Sequence, residues 1–252
     1  MSQGHVHIAI ENSIGTITFF HPASNSLPGE ILRQLAQAIY DVDENPEAKV
    51  IIVKSEGDRA FCAGASFDEL LAIEDMDTGL QFFSGFALVI NAMRKASKLI
   101  IGRVQGKAVG GGVGLASSFD YCFATSHASV KLSELAVGIG PFVVGPAVAR
   151  KAGLSGMSEL AINATAWRDA SWAKTKGIYN EVFDSIEEMD AHISELAEKL
   201  ANSNPEAMTE LKKIFWSGTE NWDQLLTERA AISGRLVLSD FTKNAINAFK
   251  SK

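Results

Sequence analysis

The middle of the chain reads Gly110-Gly111-Gly112-Val113-Gly114, shortly after an apolar segment, Leu99 to Val104, that is typical of a β-strand. Glycine has no side chain, so such a run lets the backbone approach a neighbouring element closely. A short helix of small residues is predicted to begin near Gly111, and the first N–H groups of a helix have no acceptor within the helix. The run therefore indicates either half of a site for a negatively charged oxygen or a helix packed tightly on a sheet.

A second turn of small residues, Phe61-Cys62-Ala63-Gly64-Ala65, lies earlier in the chain. It follows the apolar segment Val50 to Val53, which predicts a strand, and it precedes a helix-like run from Ser66 to Ile73. Two turns of this kind can direct two backbone N–H groups at one oxygen atom. The two turns are therefore the candidate halves of one anion site.

The composition is that of a globular chain with a substantial core, since 46% of the 252 residues are hydrophobic and 21% are charged. The formal net charge of −7 argues against nucleic acid or an anionic membrane as a general partner. Cys62 and Cys122 lie far apart and predict neither a disulfide framework nor a zinc site. The start of the chain lacks the pattern of an export signal, and no apolar run is long enough for a bilayer. We therefore expect a cytoplasmic protein without a membrane partner.

Hydrophobic periodicity predicts an α/β arrangement in the first half of the chain. Alternating apolar residues from Val6 to Phe19 predict a hairpin with one buried face. Helical spacing after Pro28 predicts a helix that Asn45-Pro46 ends, and a long helix is predicted from about Gly79 to Ser97.

Beyond Ser133 the chain is predicted to be almost wholly helical. The predicted helices cover residues 146–152, 155–163, 170–176, 187–201, 205–216 and 222–238. There is no sequence repeat and no clear linker. We therefore divide the chain into an α/β core, residues 1–195, and a helical region, residues 196–252, that packs on the core or on a neighbouring subunit.

Three segments resemble, in order and separation, the signatures of the crotonase (enoyl-CoA hydratase/isomerase) superfamily: Arg59 to Ala65, Val109 to Gly112, and Leu132 to Ile139. Gly15 to Pro22 and Ala173 to Val182 are similar as well, so the resemblance covers nearly the whole chain. It implies a spiral of ββα units with a helical C-terminal trimerisation region. The resemblance further implies a homotrimer or a dimer of trimers, and a role in fatty acid metabolism.

The resemblance also implies the substrate class and the binding residues. The substrate is expected to be an acyl-CoA thioester, and because coenzyme A belongs to the substrate, no separate cofactor is expected. The oxyanion hole carries over to the N–H groups of Ala65 and Gly111, with Ala63, Gly64 and Phe67 also beside the coenzyme A. Two such donors stabilise a thioester enolate more than they stabilise the neutral carbonyl.

The acidic residues of the superfamily pattern are incomplete in this chain. Glu134 matches the second of the two glutamates of a hydratase, and Gly114 stands at the position of the first. Hydration is served by two carboxylates, whereas moving a double bond from the 3,4 to the 2,3 position needs one group. The segment Gly138 to Phe142 is also more similar to a single-glutamate isomerase. We therefore expect Glu134 to be the general acid and base of an enoyl-CoA isomerase.

Two other functions stay open from the sequence. One is hydration of a 2-enoyl-CoA, including a branched, methylglutaconyl-type substrate, and the other is acyl-CoA binding without catalysis. Asp68, Glu69, Glu74 and Asp75 are candidates for the missing carboxylate, although a solvated helix face is the commoner role of such residues.

Three further kinds of site are disfavoured. The glycine spacing matches neither a phosphate-binding loop nor a dinucleotide fingerprint, and no GxSxG elbow of a serine hydrolase occurs. His5 and His7 share a strand face, a spacing that metal ligation allows, but histidines near a chain end are more often solvated. We therefore expect no metal site.

Overall fold

The computed structural model of the protein describes residues 4–250 and, of residues 247, 249 and 250, the backbone alone. The strands are β1 (His5–Glu11), β2 (Ile14–Phe20), β3 (Ser26–Leu27), β4 (Val50–Ser55), β5 (Ala60–Cys62), β6 (Gly64–Ala65), β7 (Ile100–Val104), β8 (Lys107–Val109), β9 (Tyr121–Thr125), β10 (Ser129–Lys131), β11 (Arg168–Asp169) and β12 (Glu181–Phe183). The helices are α1 (Gly29–Glu44), α2 (Phe67–Leu71), α3 (Met76–Lys95), α4 (Gly111–Ala116), α5 (Gly145–Ile162), α6 (Ala170–Thr175), α7 (Ile186–Ala201), α8 (Pro205–Phe215), α9 (Trp222–Val237) and α10 (Asp240–Lys250). A short 3₁₀ helix, Glu134–Val137, follows β10.

Successive segments of the chain add strands to two main sheets in turn. The six-stranded sheet has the order β1-β2-β4-β7-β9-β12, and the four-stranded sheet has the order β11-β10-β8-β5. From β4 to α5, each passage of the chain adds a strand to the first sheet, a strand to the second and then a helical segment. The strands added in this way pair in parallel with their neighbours. The arrangement is the spiral of ββα units that the resemblance implies.

Helices cover both faces of the six-stranded sheet. On β4, Ile51 and Val53 belong to the main core together with residues of α1 and α3. Val50 and Ile52 pack in a second cluster together with residues of α7. Because this strand is buried on both faces, its sequence is an unbroken apolar run and not an alternating one.

The N-terminal hairpin has the register that the alternation predicts. β1 pairs antiparallel with β2, which places Val6 opposite Phe19 and Ile8 opposite Ile17. Ile17 and Phe19 are fully buried and, two residues apart on one strand, point to the same face of the sheet. The predicted hairpin with one buried face is confirmed.

Besides β12, which lies in the region predicted to be helical, and the short pair β3-β6, the sequence does not predict the four-stranded sheet. Its strands have two or three residues each, too few for a period of two to be recognised. The predicted turn Phe61 to Ala65 lies in β5, a single linking residue and β6. The two helices predicted over 146–152 and 155–163 are the halves of α5, which bends at Gly153.

Residues of the C-terminal helices are tied to the core by a buried aspartate. Asp120, directly before β9, accepts hydrogen bonds from Lys212 Nζ at 2.7 Å and from Trp216 Nε1 at 2.9 Å. The side chains of Asp120 and Lys212 are both almost fully buried, so α8 is fixed to the edge where β9 begins. α7 runs across residues 195 and 196, where the sequence places the division of the chain, and that division stays a prediction.

Two facing glycines allow α9 to pack along α3. A methyl group added at Gly79 would lie 2.9 Å from the Cα of Gly234, and one added at Gly234 would lie 3.1 Å from the backbone of Gly79. Neither residue could carry a side chain larger than hydrogen unless one helix moved away from the other. The contact holds α9, and α10 after it, against the α/β body.

We predict that Gly79→Ala lowers the free energy of unfolding by about 1–3 kcal/mol, because the added methyl group overpacks the contact with Gly234. The direction of the change in stability separates the two effects, since helix propensity alone would make the alanine variant more stable by about 1 kcal/mol. Urea denaturation measures the change. Gln81→Ala, at an exposed position of the same helix, is the control and should change stability by less than about 0.5 kcal/mol. A Gly79→Ala variant that is as stable as the parent contradicts the prediction.

Candidate active site

One cavity, with a volume of about 460 Å³, is lined by every residue that the resemblance assigns to binding or catalysis. These residues are Ala63, Gly64, Ala65, Phe67, Gly111 and Glu134. The remaining wall is mainly apolar and includes Phe82, Phe83, Phe86, Ile139, Phe142, Val143 and Val144. The two small-residue turns and the 3₁₀ helix, which are far apart in sequence, therefore meet at one place.

Short parallel pairing brings the first turn to the cavity. β6 pairs with β3, with Leu27 opposite Ala65, and the Ser26 hydroxyl donates a hydrogen bond to the Ala65 carbonyl at 2.7 Å. Gly64 has φ +95°, a left-handed conformation that other residues rarely adopt. A methyl group at Gly64 would lie 3.1 Å from the Val109 carbonyl oxygen. Glycine at this position therefore lets β6 lie directly beside the turn between β8 and α4.

The second turn brings the backbone of Gly111 to the same wall. The amide nitrogen of Gly111 lies 3.8 Å from the place where a methyl group on Gly64 would be, so the two turns are in contact. Gly111 is the first residue of α4, where an N–H group has no acceptor within its helix. A methyl group on Gly111 would lie 2.2 Å from the ring of Phe86, which therefore packs directly on the glycine backbone.

Glu134 begins the 3₁₀ helix and places its carboxyl group over the backbone of Gly110. Oε1 lies 2.9 Å from the position that a Cβ on Gly110 would occupy. Oε2 is buried and has no hydrogen-bond partner among the described residues. Burial raises the pKa of the Glu134 carboxyl to about 7, against a smaller lowering by a hydrogen bond from its own backbone. A carboxyl group with such a pKa can both accept and return a proton near neutral pH.

A second carboxylate is not found at the wall of this cavity within residues 4–250, where Glu134 is the one acidic residue. At Gly114 an added Cβ would lie 2.5 Å from Cγ1 of Val144, so the space for a side chain is already filled. Glu69 instead accepts the N–H of Gly29 at 2.8 Å, and Asp75 caps α3 through the N–H of Thr78.

The other acidic candidates, Asp68 and Glu74, do not line the cavity either. Lys131 is the cation that lines it in the described structure, and its ammonium group lies 4.5 Å from the centre of the Trp167 ring. Among the residues that the structure describes, the charged groups at the cavity wall are therefore one carboxyl group and one ammonium group that contacts an aromatic face.

Several residues of the cavity wall have no signal in the sequence. Ser26 precedes the predicted helix after Pro28, and Ser233 and Ala245 come from the C-terminal helices α9 and α10. They reach the cavity through long-range packing, for which neither spacing nor composition gives an indication. The described residues hold no group of three histidine, cysteine, aspartate or glutamate side chains arranged for a metal, and the expected absence of a metal stays a prediction.

Comparisons with known proteins agree with the fold and with the family resemblance. A family model described as "Enoyl-CoA hydratase/isomerase" matches residues 9–251. Carnitinyl-CoA dehydratase of Proteus mirabilis is 28% identical over 229 residues, which cover 87% of this chain and 83% of that protein. The crystal structure of enoyl-CoA hydratase from Bacillus halodurans has a TM-score of 0.89 at 20% identity and covers 96% of this chain and 99% of its own. An enoyl-CoA hydratase/isomerase from Xanthobacter autotrophicus Py2 has a TM-score of 0.88 at 19% identity, covering 100% of this chain and 94% of that one.

We predict that Glu134→Gln stabilises the protein at alkaline pH. Because the pKa of Glu134 is about 7 in the folded state and 4.5 ordinarily, the folded protein holds this proton more tightly, and wild-type stability falls as pH rises between these values. At about 1.4 kcal/mol for each pH unit, the variant gains about 3 kcal/mol relative to wild type across that window. Glutamine does not titrate, so the gain is absent in acid.

Urea denaturation at about pH 5 and about pH 8, at one protein concentration, measures this change. Glu11→Gln, at the exposed end of β1, controls for removal of a surface charge and should shift stability by less than about 0.5 kcal/mol. An equal stability difference between wild type and Glu134→Gln at the two pH values rules out a carboxyl group that is buried in the folded state.

We also predict that Gly114 and Val144 are energetically coupled. Gly114→Ala should cost about 1–3 kcal/mol of stability through overpacking against Val144. In the double variant, Val144→Ala removes Cγ1 and with it the closer of the two contacts, at 2.5 Å, but keeps the Cβ at 2.8 Å. The overpacking is relieved in part, so the cost of the double change should fall short of the sum of the single costs by about 1 kcal/mol. A double-mutant cycle in urea measures the coupling, and strict additivity contradicts the contact.

Proposed function

The chain belongs to the enoyl-CoA hydratase/isomerase family, and on that premise we propose that it converts a 3-enoyl-CoA thioester to the 2-enoyl-CoA isomer, with Glu134 as both base and acid. The observation that carries the proposal is the cavity wall, in which a buried, unpartnered carboxyl oxygen of Glu134 is the acidic group beside the backbone of Ala65 and Gly111. A family enzyme with one carboxylate is suited to moving a proton within its substrate.

The proposed reaction needs one proton and no water. Glu134 removes a proton from C2, and the electron pair of that C–H bond moves into the thioester to give a dienolate with negative charge on oxygen. The N–H groups of Ala65 and Gly111 stabilise that oxygen, and each donor of this kind lowers the barrier by about 3–4 kcal/mol. The protonated Glu134 then returns the proton to C4, and the double bond comes to lie between C2 and C3.

The pKa of Glu134 fits both halves of this cycle. The carboxylate is the stronger base when its pKa is high, and the carboxylic acid is the stronger acid when its pKa is low. A value of about 7, set by burial, lies between these demands. The apolar wall that surrounds the carboxyl group also excludes water, which keeps the transferred proton on the glutamate between the two steps.

Hydration of a 2-enoyl-CoA is the second candidate, and the dehydratase and hydratase names of the similar proteins favour it. Adding water is better served by two carboxylates, one that activates the water and one that handles the proton at C2. The contact between Gly114 and Val144 leaves no room for the second, and this supports isomerisation over hydration, including hydration of a methylglutaconyl-type substrate. Acyl-CoA binding without catalysis is the third candidate.

Other properties of the protein stay predictions from the resemblance. Ala63, Gly64 and Phe67 are proposed to contact the coenzyme A part of the substrate, and no separate cofactor is proposed. A homotrimer or dimer of trimers, a role in fatty acid metabolism and a cytoplasmic location belong to the same set. In the part of the chain that the structure describes, we find no helix with the length and apolarity needed to span a bilayer.

Matched substrates separate the three candidates. The purified protein is incubated with a 3-enoyl-CoA and, separately, with the 2-enoyl-CoA of the same acyl chain, in water that is labelled at oxygen. Isomerisation gives the absorbance of the conjugated thioester without label in the product, whereas hydration of the 2-enoyl-CoA places labelled oxygen at C3. Tight binding with neither change supports the noncatalytic candidate and overturns the proposal.

We predict that Glu134→Gln lowers kcat for isomerisation by about 10²–10⁴-fold, because the amide cannot accept the C2 proton, while KM changes little. In the wild type, kcat/KM should rise with pH and level off above about 7, as the base form of Glu134 accumulates. Glu74→Gln, at an exposed position before α3, is the control and should keep wild-type kinetics. Retention of most turnover by Glu134→Gln removes this residue from the mechanism.

A further inference from the structure

The 3₁₀ helix that carries Glu134 rests on the last helix of the chain. It ends at Val137 and is capped by Gly138, which has φ +82° and donates its N–H to the Leu135 carbonyl at 3.1 Å. The N–H of Ile139 donates to the carbonyl of Glu134 at 3.0 Å. The position of Glu134 therefore depends on the backbone at Gly138 and Ile139.

Thr242 of α10 contacts this capping turn directly. Its side chain is fully buried, and its hydroxyl donates a hydrogen bond to the Gly138 carbonyl at 3.2 Å. A methyl group on Gly138 would lie 2.6 Å from both Phe241 and the Thr242 hydroxyl, so the two segments are in close contact. Ser239 in turn holds Thr242, since its hydroxyl accepts the Thr242 N–H at 3.3 Å and lies 3.2 Å from the Thr242 hydroxyl.

An apolar cluster surrounds this hydrogen bond. Ile139, directly after the capping glycine, is buried together with Val237 of α9 and Ile246 of α10. Ala245, three residues after Thr242 and so on the same side of α10, lines the cavity itself. α10 thus contributes to the cavity wall and supports the 3₁₀ helix from behind.

We propose that Thr242 is a positioning residue, which acts through its hydrogen bond to Gly138 to hold the Glu134 carboxyl group over Gly110 and toward the Ala65 and Gly111 backbone. The inference rests on the proposed function, because it assigns Thr242 a role in proton transfer by Glu134. A hydroxyl that bonds a capping carbonyl fixes the direction of that peptide group as well as its distance. A displacement of about 1 Å in a proton-transferring group is enough to cost about a hundredfold in rate.

The test compares Thr242→Val, which keeps the shape and removes the hydroxyl, with Thr242→Ser, which keeps the hydroxyl. Thr242→Val should lower kcat for isomerisation by about ten- to a hundredfold with KM within about twofold of wild type. Thr242→Ser should restore kcat to within about threefold of wild type. Thr227→Val is the matched control, because the exposed Thr227 hydroxyl also donates to a helix carbonyl, that of Asp223, away from the cavity wall.

Two measurements do not depend on turnover. The first is a carbon NMR titration of the Glu134 carboxyl group, whose signal is assigned because it is missing from the spectrum of Glu134→Gln. The pKa of this group should be lower in Thr242→Val, because a loosened 3₁₀ helix admits water to the carboxylate. Lys131 is the other charged group at the cavity wall in the described structure. Every variant retains Lys131, so a change in its charge does not account for a shift in the Glu134 pKa. Hydrogen exchange at the amides of Gly138 and Ile139 should become at least about tenfold faster.

A purely stabilising role predicts a different result. Thr242→Val would then melt at a lower temperature while kcat, measured well below that temperature, and the Glu134 pKa stay at their wild-type values, and this outcome overturns the inference. If Thr242→Val does not fold, Ser239→Ala takes its place, since it removes one partner of the Thr242 hydroxyl and should shift kcat and exchange in the same direction. If Ser239→Ala then has the kcat and the exchange rates of the wild type, the inference is overturned.

Failure of the proposed function is recognised separately. In that case the wild type does not isomerise the 3-enoyl-CoA, or Glu134→Gln turns over normally. The NMR titration and the hydrogen exchange of Thr242→Val still show whether Thr242 holds the carboxyl group in place.

Discussion

The backbone of residues 110–114 is approached closely from four sides, and the geometry of the site depends on this approach. Each neighbour lies where a side chain would begin if the residue were not glycine. The contacts are Gly110 with Glu134, Gly111 with Phe86, Gly112 with Cys62, and Gly114 with Val144. Through them α4 fixes the 3₁₀ helix, α3, β5 and the beginning of α5 relative to one another. Tight packing and an anion site, which are alternatives in the sequence, are compatible here, because the packing sets the Gly111 backbone into the cavity wall.

The buried carboxyl group of Glu134 has a cost that the surrounding structure must offset. A carboxylate that leaves water without gaining a partner destabilises the folded state, and its raised pKa expresses that cost. The apolar cluster around Ile139 and the contact of α10 with Gly138 keep the segment in place in spite of it. The same burial gives the carboxyl group a pKa that suits proton transfer near neutrality. Stability and the proposed chemistry therefore make opposite demands on this residue, because a partner for the carboxylate would lower both the cost of burial and the pKa.

The parts of the fold that the sequence predicts are those with a local cause. The hairpin is predictable because the buried Ile17 and Phe19 alternate with the half-buried Thr16 and Thr18. α1 is predictable because its apolar residues recur at helical spacing until Asn45. The strands of the four-stranded sheet, with two or three residues each, are too short to show such a period. The contacts between Gly79 and Gly234 and between Thr242 and Gly138 join residues more than a hundred positions apart, and nothing local marks them. For the same reason the resemblance supplies Ala65, Gly111 and Glu134, whereas Ser26, Ser233 and Ala245 at the same cavity emerge only from tertiary packing.

The contact between Gly114 and Val144 links the chemistry of the site to its packing. A glutamate at position 114 would have to enter the space of a buried valine, and a smaller residue at 144 alone would leave a cavity beside the glycine. Either change by itself therefore destabilises α4 at the point where it supports the Gly111 backbone. A carboxylate at position 114 therefore requires a smaller residue at position 144 as well. The single-carboxylate character of the cavity is thus maintained by core packing, and it does not depend on any contact with a substrate.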